Sequence, residues 1–378
     1  MKKRVLFLYL TKWSGHSAAA QALRAALEEK YPGVVCEESD FVSDAFPGLT
    51  ATFKKAYVGV MKHFPTIWNY VYDNEYIETI TKEFRVLFDA VHSGWLRDKV
   101  RKAGADIIVC TQAVPCEILA REKQDRKLSV PLIAVPTDFI VHAYWPSAGV
   151  DHYLLPAEET VRAIIARGVP KSAVTVTGIP VHPDFLKSVS KGKARESLRL
   201  RSRVPTLLCI GGSYGFGAFS QALEEIARAE KQWQVFMVTS RNVELYEFLK
   251  TRWAKHPNFR IIGFAKNIPL LMDAADILVG KPGGATTAEA LAKGLPIAIF
   301  NPFPGQESRN AEYLLRHKAA IVISDVAELV PKIGNLFSAP GRLASLRSRA
   351  KQLGRPRSAF SGADTIMKVL REKIGKTQ

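Results

Sequence analysis

The residue types best suited to chemistry lie in a short run, KPGGATTAEA, which spans residues 281–290. Gly283 and Gly284 follow a predicted strand, and glycine lets the backbone approach a ligand closely. Backbone N–H groups at the start of the following helix would suit a phosphate. Glu289 has two interpretations. It accepts hydrogen bonds from two adjacent sugar hydroxyls, or it caps its own helix with Thr286, three residues before it. The residue types alone leave both open.

A second glycine-containing turn, CIGGSYGFGAF at residues 209–219, includes Gly212 and Ser213 and also precedes a predicted helix. It lacks the GxxxxGK[ST] pattern of a P-loop. The acidic residue that binds ribose in dinucleotide sites is missing from the end of the next predicted strand, at Thr239 and Ser240. On its own this turn is a weak signal for nucleotide binding.

A third turn, TKWSGH at residues 11–16, follows the first predicted strand and leads into the helical run SAAAQALRAAL. A helix N-terminus disfavours the protonated imidazole, so His16 would be neutral and able to accept a proton. The alternative, a polar residue that merely caps the helix, fits the sequence equally well.

Twelve short, mostly apolar strand candidates alternate with helical patterns along the chain. They are residues 5–10, 33–38, 107–111, 131–137, 152–156, 174–180, 206–212, 233–240, 260–264, 276–280, 296–302 and 320–325. Such alternation is typical of parallel sheets covered on both faces. Because it restarts after a basic stretch, we predict an α/β protein with two doubly wound, Rossmann-like domains facing a central cleft.

The predicted organisation has four parts. They are an N-terminal domain (1–185), a basic linker (186–203), a C-terminal domain (204–355) and a final helix (356–378) that packs back on the first domain.

The composition of the chain indicates the cellular compartment in which we expect the protein. No apolar run approaches the 18 residues of a transmembrane helix. The six-residue apolar run near the N-terminus lacks a cleavage site and favours a buried strand over a signal peptide. The chain has four cysteines, and Cys110 and Cys116 have no matching histidine pair. We therefore expect neither a disulfide framework nor a zinc site, and a cytoplasmic location.

The net charge of +17 is concentrated in two blocks. Residues 187–203 carry seven basic side chains against one acidic, and residues 342–378 carry ten against two, so together they supply +14. Concentrated charge predicts a polyanionic partner, either nucleic acid or an anionic membrane surface. The chain has no recognisable nucleic-acid-binding module and no basic–aromatic strand pattern, so nucleic acid is disfavoured.

One segment, FKKAYVGVMKHFPTIWNYVYD at residues 53–73, has apolar residues at helical spacing and basic residues on the other side. A helix that covers a sheet would explain this pattern. A cationic amphipathic helix at a lipid–water boundary would also explain it. The residues that would contact acceptor or membrane are Tyr57, Met61, Phe64, Trp68, Lys54 and Lys55.

The pairing of KPGGATTAEALAKGLPIAIFNPFPGQESRNAEYL with SGHSAAAQAL resembles the family 28 glycosyltransferases of GT-B fold. The resemblance is strongest to the diacylglycerol glycosyltransferases, which are the monogalactosyldiacylglycerol synthases and their bacterial glucosyl relatives. AYVGVMKHFPTIWNYVY resembles their membrane and acceptor segment, and PTDFIVHAYW, VDHYLLP and GIPVHPDF resemble further family stretches. This family commonly has a run of glycines before the histidine, where this chain has Trp13-Ser14-Gly15.

The resemblance implies transfer of a hexose from UDP-galactose or UDP-glucose to diacylglycerol, inverting the α-linked donor to a β-glycoside. Glu289 would hold the uridine ribose, and Phe264 would lie in the loop that contacts uracil. The residues facing the diphosphate would be Gly212, Ser213, Gly283, Gly284 and Thr286. Those binding the transferred sugar would be Gln306 and Glu307, supported by Asn310.

By the same resemblance His16 would be the general base. Asp138, in PTDF, would be the second candidate, either as base or as the carboxylate that orients an imidazole. No DxD-type pair lies near these turns, so we expect neither a metal nor another cofactor. We expect peripheral association with the inner face of the membrane. Two alternatives remain: N-acetylglucosamine transfer to an undecaprenyl-linked peptidoglycan precursor, and a membrane-bound nucleotide-sugar sensor without catalysis.

Overall fold

The structure is a computed structural model that describes residues 2–45, 93–141, 145, 148–211, 218–230, 232–302 and 305–374. The chain divides into two compact units. The first unit comprises Met1–Pro183, Pro304–Gln306 and Arg357–Gln378, and the second comprises Asp184–Phe303 and Glu307–Pro356. The chain therefore leaves the first unit after residue 183 and returns to it for its last helix.

The first unit contains one six-stranded sheet in which every strand pair is parallel. Its elements are β1 (Lys3–Tyr9), α1 (Gly15–Lys30), β2 (Val34–Asp40), α2 (Phe41–Ala45), α3 (residues 93–103), β3 (Ile107–Cys110), α4 (Ala113–Gln124), β4 (Leu132–Ala134), β5 (His152–Leu155), α5 (Glu158–Ala166) and β6 (Val174–Val176). The strand order is β2-β1-β3-β4-β5-β6. β1 and β3 are neighbours, so the order reverses between them. Ligands of open α/β sheets bind at the carboxyl ends of strands at such a switch point.

The second unit repeats this plan with a second all-parallel sheet. Its elements are α6 (Lys191–Ser197), β7 (Thr206–Ile210), α7 (Ala218–Arg228), β8 (Gln234–Val238), α8 (Val243–Trp253), β9 (Phe259–Ile262), α9 (Ile268–Ala274), β10 (Ile277–Gly280), α10 (Gly284–Ala292), β11 (Ile297–Phe300), α11 (Gln306–Arg316), β12 (Ala320–Ile323), α12 (Val326–Phe337) and α13 (Pro340–Leu353). The order is β12-β11-β10-β7-β8-β9, so the switch point lies between β7 and β10. Gln306 starts α11 but groups with the first unit.

All twelve predicted strands are present, and the prediction of two doubly wound, Rossmann-like α/β units is confirmed. The inner strands are short apolar runs with almost every residue buried, whereas the four edge strands β2, β6, β9 and β12 are only partly buried. In β1, for example, all five residues from Val5 to Tyr9 are buried. Helices on both faces of each sheet cover these side chains, which form a separate core in each unit.

The predicted basic linker contains a helix, α6, which belongs to the second unit. Lys191 and Arg195 of α6 both form ion pairs with Asp276, each with an N–O distance of 2.6 Å. Asp276 lies about 80 residues further along the chain. The Asp276 carboxylate offsets part of the charge of Lys191 and Arg195. These two charges of the basic block therefore stabilise the folded unit and do not serve an external polyanion.

The last helix, α14 (Ser358–Ile374), packs in the first unit against α1. Gly362 permits close approach, because a Cβ atom at this position would lie 2.4 Å from Leu23 Cδ2. At the C-terminal end of α1, Lys30 and the Tyr31 hydroxyl both contact the Asp364 carboxylate. In the described part of the chain, no helix is long and apolar enough to cross a membrane.

Candidate functional site

His16 lies in the first turn of α1, directly after β1 and therefore at the switch point of the first sheet. Its Nδ1 atom is 2.9 Å from the Thr111 carbonyl oxygen and 2.8 Å from the Thr137 hydroxyl oxygen. The Thr111 hydroxyl also donates to the His16 carbonyl, at 2.9 Å. Thr111 follows β3 and Thr137 follows β4, so the ends of three strands position this one imidazole.

The partners of Nδ1 determine which ring nitrogen carries the proton. A carbonyl oxygen can only accept, so the Thr111 contact is a hydrogen bond when Nδ1 carries the hydrogen. Nε2 then keeps its lone pair. Burial lowers the pKa of His16, while the Asp138 carboxylate and the Thr111 hydrogen bond oppose that shift. A neutral imidazole with an open Nε2 is the form needed for a general base.

The loop before α1 holds His16 in place. Ser14 is the N-cap, and its hydroxyl accepts from the Ser17 N–H while the Ser17 hydroxyl accepts from the Ser14 N–H. The interpretation of His16 as the capping residue is therefore wrong. Trp13 adopts a left-handed backbone with φ of 66°. Glycine adopts this backbone conformation without steric cost, which agrees with the glycine-rich loop that the resemblance implies at this position.

Asp138 is buried, with 5% of its surface exposed. Its carboxylate accepts a hydrogen bond from the Gln306 side-chain amide, and both residues belong to the first unit. Asp138 acts on His16 through its charge, whereas the Nδ1 contacts come from Thr111 and Thr137. The orienting role considered for Asp138 is thus filled by a carbonyl and a hydroxyl.

In the second unit, α10 begins at Gly284 with Gly283 as its N-cap, and no side chain caps it. Thr286 lies inside the first turn, so the capping-box interpretation of Thr286 and Glu289 is wrong. Gly283 has an extended backbone that starts the helix three residues before Thr286. The first N–H bonded within α10 is that of Thr287, which donates to the Gly283 carbonyl. The preceding N–H groups have no partner within the helix, and such groups suit an anion.

Glu289 lies one turn further along α10 and is partly buried. Burial raises its pKa to about 8. The pKa of Lys281, at the start of the glycine turn, is lowered by burial and raised by the nearby Glu307 carboxylate. Asn310, in α11, is fully buried. Glu289, which the sequence assigned to the donor, and the neighbouring Lys281 are thus two half-buried groups whose ionisation the protein perturbs, a frequent property of functional sites.

Phe264 lies two residues after β9 and is 56% exposed. The guanidinium carbon of Arg241 lies 4.6 Å from the centre of the Phe264 ring, a cation–π contact. Arg241 follows β8 after Ser240, whose φ is 54°. An exposed aromatic ring and a cation thus lie at the carboxyl ends of two adjacent strands.

The remaining predicted site residues lie outside the described residues. They are Gly212, Ser213, Tyr57, Met61, Phe64, Trp68, Lys54 and Lys55. The described ranges contain no group of three His, Cys, Asp or Glu side chains arranged to hold a metal ion.

Sequence reasoning missed Thr111, Thr137, Lys281 and Arg241. Thr111 and Thr137 end apolar strand runs, and that position is a usable signal, but the strand order that brings them to His16 is not local information. Lys281 opens the quoted glycine turn. Arg241 sits in SRN, a polar turn directly after a strand.

Comparisons with known proteins agree with this architecture. Residues 206–359 match the family model described as glycosyltransferase family 28 C-terminal domain, and residues 16–181 match that of monogalactosyldiacylglycerol (MGDG) synthase. A processive diacylglycerol beta-glucosyltransferase of Staphylococcus saprophyticus is 25% identical over 97% of this chain and 93% of its own length. The Bacillus cereus protein of that name is 26% identical over 96% and 93%. An uncharacterized glycosyltransferase, YkoN of Bacillus subtilis, is 28% identical over 84% and 83%.

Solved structures share the fold at lower identity. Acinetobacter baumannii MurG superposes with a TM-score of 0.61 at 13% identity, covering 97% of this chain and 99% of its own. The S. aureus MnaA–UDP structure gives a TM-score of 0.62 at 13% identity, covering 94% of each chain. The fold and these matches together indicate a glycosyltransferase of GT-B fold. The second half of the chain matches glycosyltransferase family 28 and its N-terminal part matches the monogalactosyldiacylglycerol synthase model, so the two family models together span most of the chain.

Proposed function

We propose that this protein transfers a hexose from a UDP-sugar to the free hydroxyl of diacylglycerol and so makes a β-glycosyldiacylglycerol. The observation that carries the proposal is the His16 imidazole, whose Nδ1 is committed to Thr111 and whose Nε2 is left as an acceptor. A lipid hydroxyl is a poor nucleophile and must lose its proton as the anomeric carbon is attacked. A neutral imidazole within reach typically contributes about 100- to 10,000-fold in rate.

The second unit would hold the donor. The uncapped first turn of α10 offers N–H groups to the diphosphate, whose negative charge grows as it leaves. Glu289 would accept hydrogen bonds from the two ribose hydroxyls, and Phe264 would contact the uracil. Gln306, Glu307 and Asn310 would bind the transferred sugar. Because main-chain donors and Lys281 supply positive potential, the reaction is proposed to need no divalent metal.

Two lines support this acceptor and donor. The relatives named diacylglycerol beta-glucosyltransferases align over more than 90% of this chain, which favours diacylglycerol and glucose. Among proteins of similar fold, HepE of Anabaena has been crystallised with UDP and with UDP-glucose, at 14% identity. The basic and amphipathic segments of the sequence fit an anionic membrane surface, from which the acceptor would be taken.

The proposal is tested by product analysis. The purified chain is incubated with diacylglycerol vesicles, EDTA and either UDP-glucose or UDP-galactose, and the lipids are analysed by mass spectrometry. We expect a hexosyl-diacylglycerol from UDP-glucose. His16→Ala should lose about 100- to 10,000-fold in kcat while retaining UDP-hexose binding. No glycolipid from either donor with folded protein would overturn the proposal, and retained donor binding without any turnover would indicate a sensor.

A further inference from the structure

A cavity of about 280 Å³ lies in the second unit, where the segment after α6 packs against the first residues of β8 and β9. Three arginines line it: Arg199, Arg201 and Arg260. Gln234, also in the lining, is the first residue of β8, and Arg260 is the second of β9. The cavity therefore lies toward the amino ends of strands whose carboxyl ends carry Arg241 and Phe264. A strand such as β8 spans roughly 16 Å, so the two sites are separate.

Two of the three guanidinium groups are fixed by contacts within the unit. Arg260 donates to the carbonyls of Leu198 and Arg199, and its guanidinium carbon lies 5.7 Å from the centre of the Phe236 ring. Arg201 donates from its guanidinium to the Asn258 side-chain oxygen, at 2.6 Å. Each guanidinium has five N–H donors, so donors remain for a ligand. A site held in place before binding loses less conformational entropy when the ligand arrives.

No acidic side chain balances these charges. None of the nine lining residues is Asp or Glu, and Arg199, Arg201 and Arg260 form no ion pair within the described ranges. The same basic segment supplies a contrast, because Lys191 and Arg195 are both paired with Asp276. All three arginines are exposed, so solvent screens their mutual repulsion, but an anion bound in the cavity would gain favourable charge interactions with each of them.

The geometry points to a binding site for a phosphate group in this cavity. The planar guanidinium fork matches phosphate oxygens with two parallel hydrogen bonds, which makes arginine the residue best suited to this anion. The volume is below the range of pockets for drug-sized ligands, so it accommodates a phosphate with a small substituent. A soluble phosphate ester and a phospholipid headgroup share this chemistry. The inference is independent of the transfer reaction proposed above.

Calorimetric titration of the full chain with inorganic phosphate and with glycerol 3-phosphate, in low salt and with UDP present, tests the site. Arg199→Gln is the informative variant, because the Arg199 side chain makes no hydrogen bond to the described residues. Arg203→Gln is the matched control, since it removes the same charge from the same segment but does not line the cavity. We expect Arg199→Gln to weaken binding about fivefold or more and Arg203→Gln less than about twofold. Absence of saturable binding, or equal losses in both variants, would overturn the inference.

Vesicle flotation then distinguishes the two sources. The wild type and both variants are mixed with phosphatidylcholine vesicles with or without phosphatidylglycerol. Binding to the anionic vesicles that Arg199→Gln weakens and inorganic phosphate displaces assigns the site to a headgroup. Vesicle binding unaffected by Arg199→Gln, alongside the calorimetric loss for glycerol 3-phosphate, assigns it to a soluble ester. If neither assay depends on Arg199, the site is not a phosphate site.

Discussion

The ionisation states of two side chains, His16 and Glu289, decide what the site can do at neutral pH. Burial keeps His16 unprotonated, and the Thr111 carbonyl fixes its tautomer. Burial also holds Glu289 largely protonated, because its pKa is about 8. The first effect prepares a base. The second means that Glu289 has to lose its proton to bind the donor most tightly, since hydroxyl groups donate best to an ionised carboxylate.

Donor affinity should therefore rise with pH. With a pKa of about 8, roughly a tenth of Glu289 is ionised at pH 7, so UDP-glucose should bind about tenfold more tightly at pH 9 than at pH 7. Calorimetry at pH 7 in buffers of different ionisation enthalpy should detect close to one proton released per donor bound. Glu289→Gln should abolish both effects. An affinity that falls as pH rises would contradict the assigned role.

The same shift predicts the stability of the free protein. Folding raises the pKa of this carboxyl from 4.5 to about 8, so the neutral form is favoured in the fold. That contribution is complete below pH 4.5 and is lost as pH rises toward 8. The melting temperature of wild type should accordingly fall relative to Glu289→Gln over this interval.

At the scale of elements, two glycines around the β10–α10 turn have different tasks. Gly280 ends β10 beside β7, and a Cβ atom there would lie 2.8 Å from the Ile210 carbonyl oxygen. Gly283 is the N-cap of α10, and a Cβ atom there would meet nothing within 4 Å. The first glycine is needed for strand packing, whereas the space beside the second is free for a ligand.

Alanine substitutions separate these tasks. Gly280→Ala should destabilise the second unit by about 1–3 kcal/mol, because backbone must move to admit the methyl group. Gly283→Ala should change stability by less than about 1 kcal/mol. It should nevertheless raise KM for the UDP-sugar about tenfold, since its methyl group would occupy the space that we propose for the diphosphate. Thermal denaturation and steady-state kinetics of both variants check this. A Gly283→Ala enzyme with unchanged KM would argue against a diphosphate at this turn.

The helices and strands also show which structural features could be predicted from the sequence. The twelve strands were predictable because most are apolar runs bounded by turn residues, which is local information. The pairing of β1 with β3 could not be predicted, because strand order depends on contacts between distant residues. The contacts of Thr111 and Thr137 with His16 follow from that strand order, so they could not be predicted either. The capping box failed because Thr286 and Glu289 have the right spacing but sit inside a helix that a glycine starts. The charge of α6 was misjudged because Asp276 is distant in sequence.

At the scale of the whole molecule, the first unit is assembled from both ends of the chain. α1, which carries His16, packs against α14 through close contact at Gly362. The surface ion pair between Lys30 and Asp364 contributes little, since exposed pairs are worth about 0–1 kcal/mol. Packing of the two helices is therefore the stabilising contact, and it links the position of α1 and its His16 to the last residues described.

A bulky residue at this contact should affect both stability and catalysis. Gly362→Leu should destabilise the first unit by about 1–3 kcal/mol, because the buried Leu23 side chain has to shift within a packed core to admit the larger residue. Hydrogen exchange in Gly15–Lys30 should accelerate, and kcat should fall while donor affinity in the second unit is kept. Gly341→Leu is the control, since a Cβ atom at Gly341 meets nothing within 4 Å. Equal effects of the two variants would show that the helix contact is not the cause.

The return of the chain to the first unit has a consequence for biosynthesis. During translation α1 emerges early, yet its partner Ser358–Ile374 leaves the ribosome only after every strand and helix of the second unit. The nascent first unit therefore keeps the apolar surface around Leu23 uncovered while the second unit is being made. A message truncated just before codon 358 would release a chain whose second unit is complete and whose first unit lacks its closing helix.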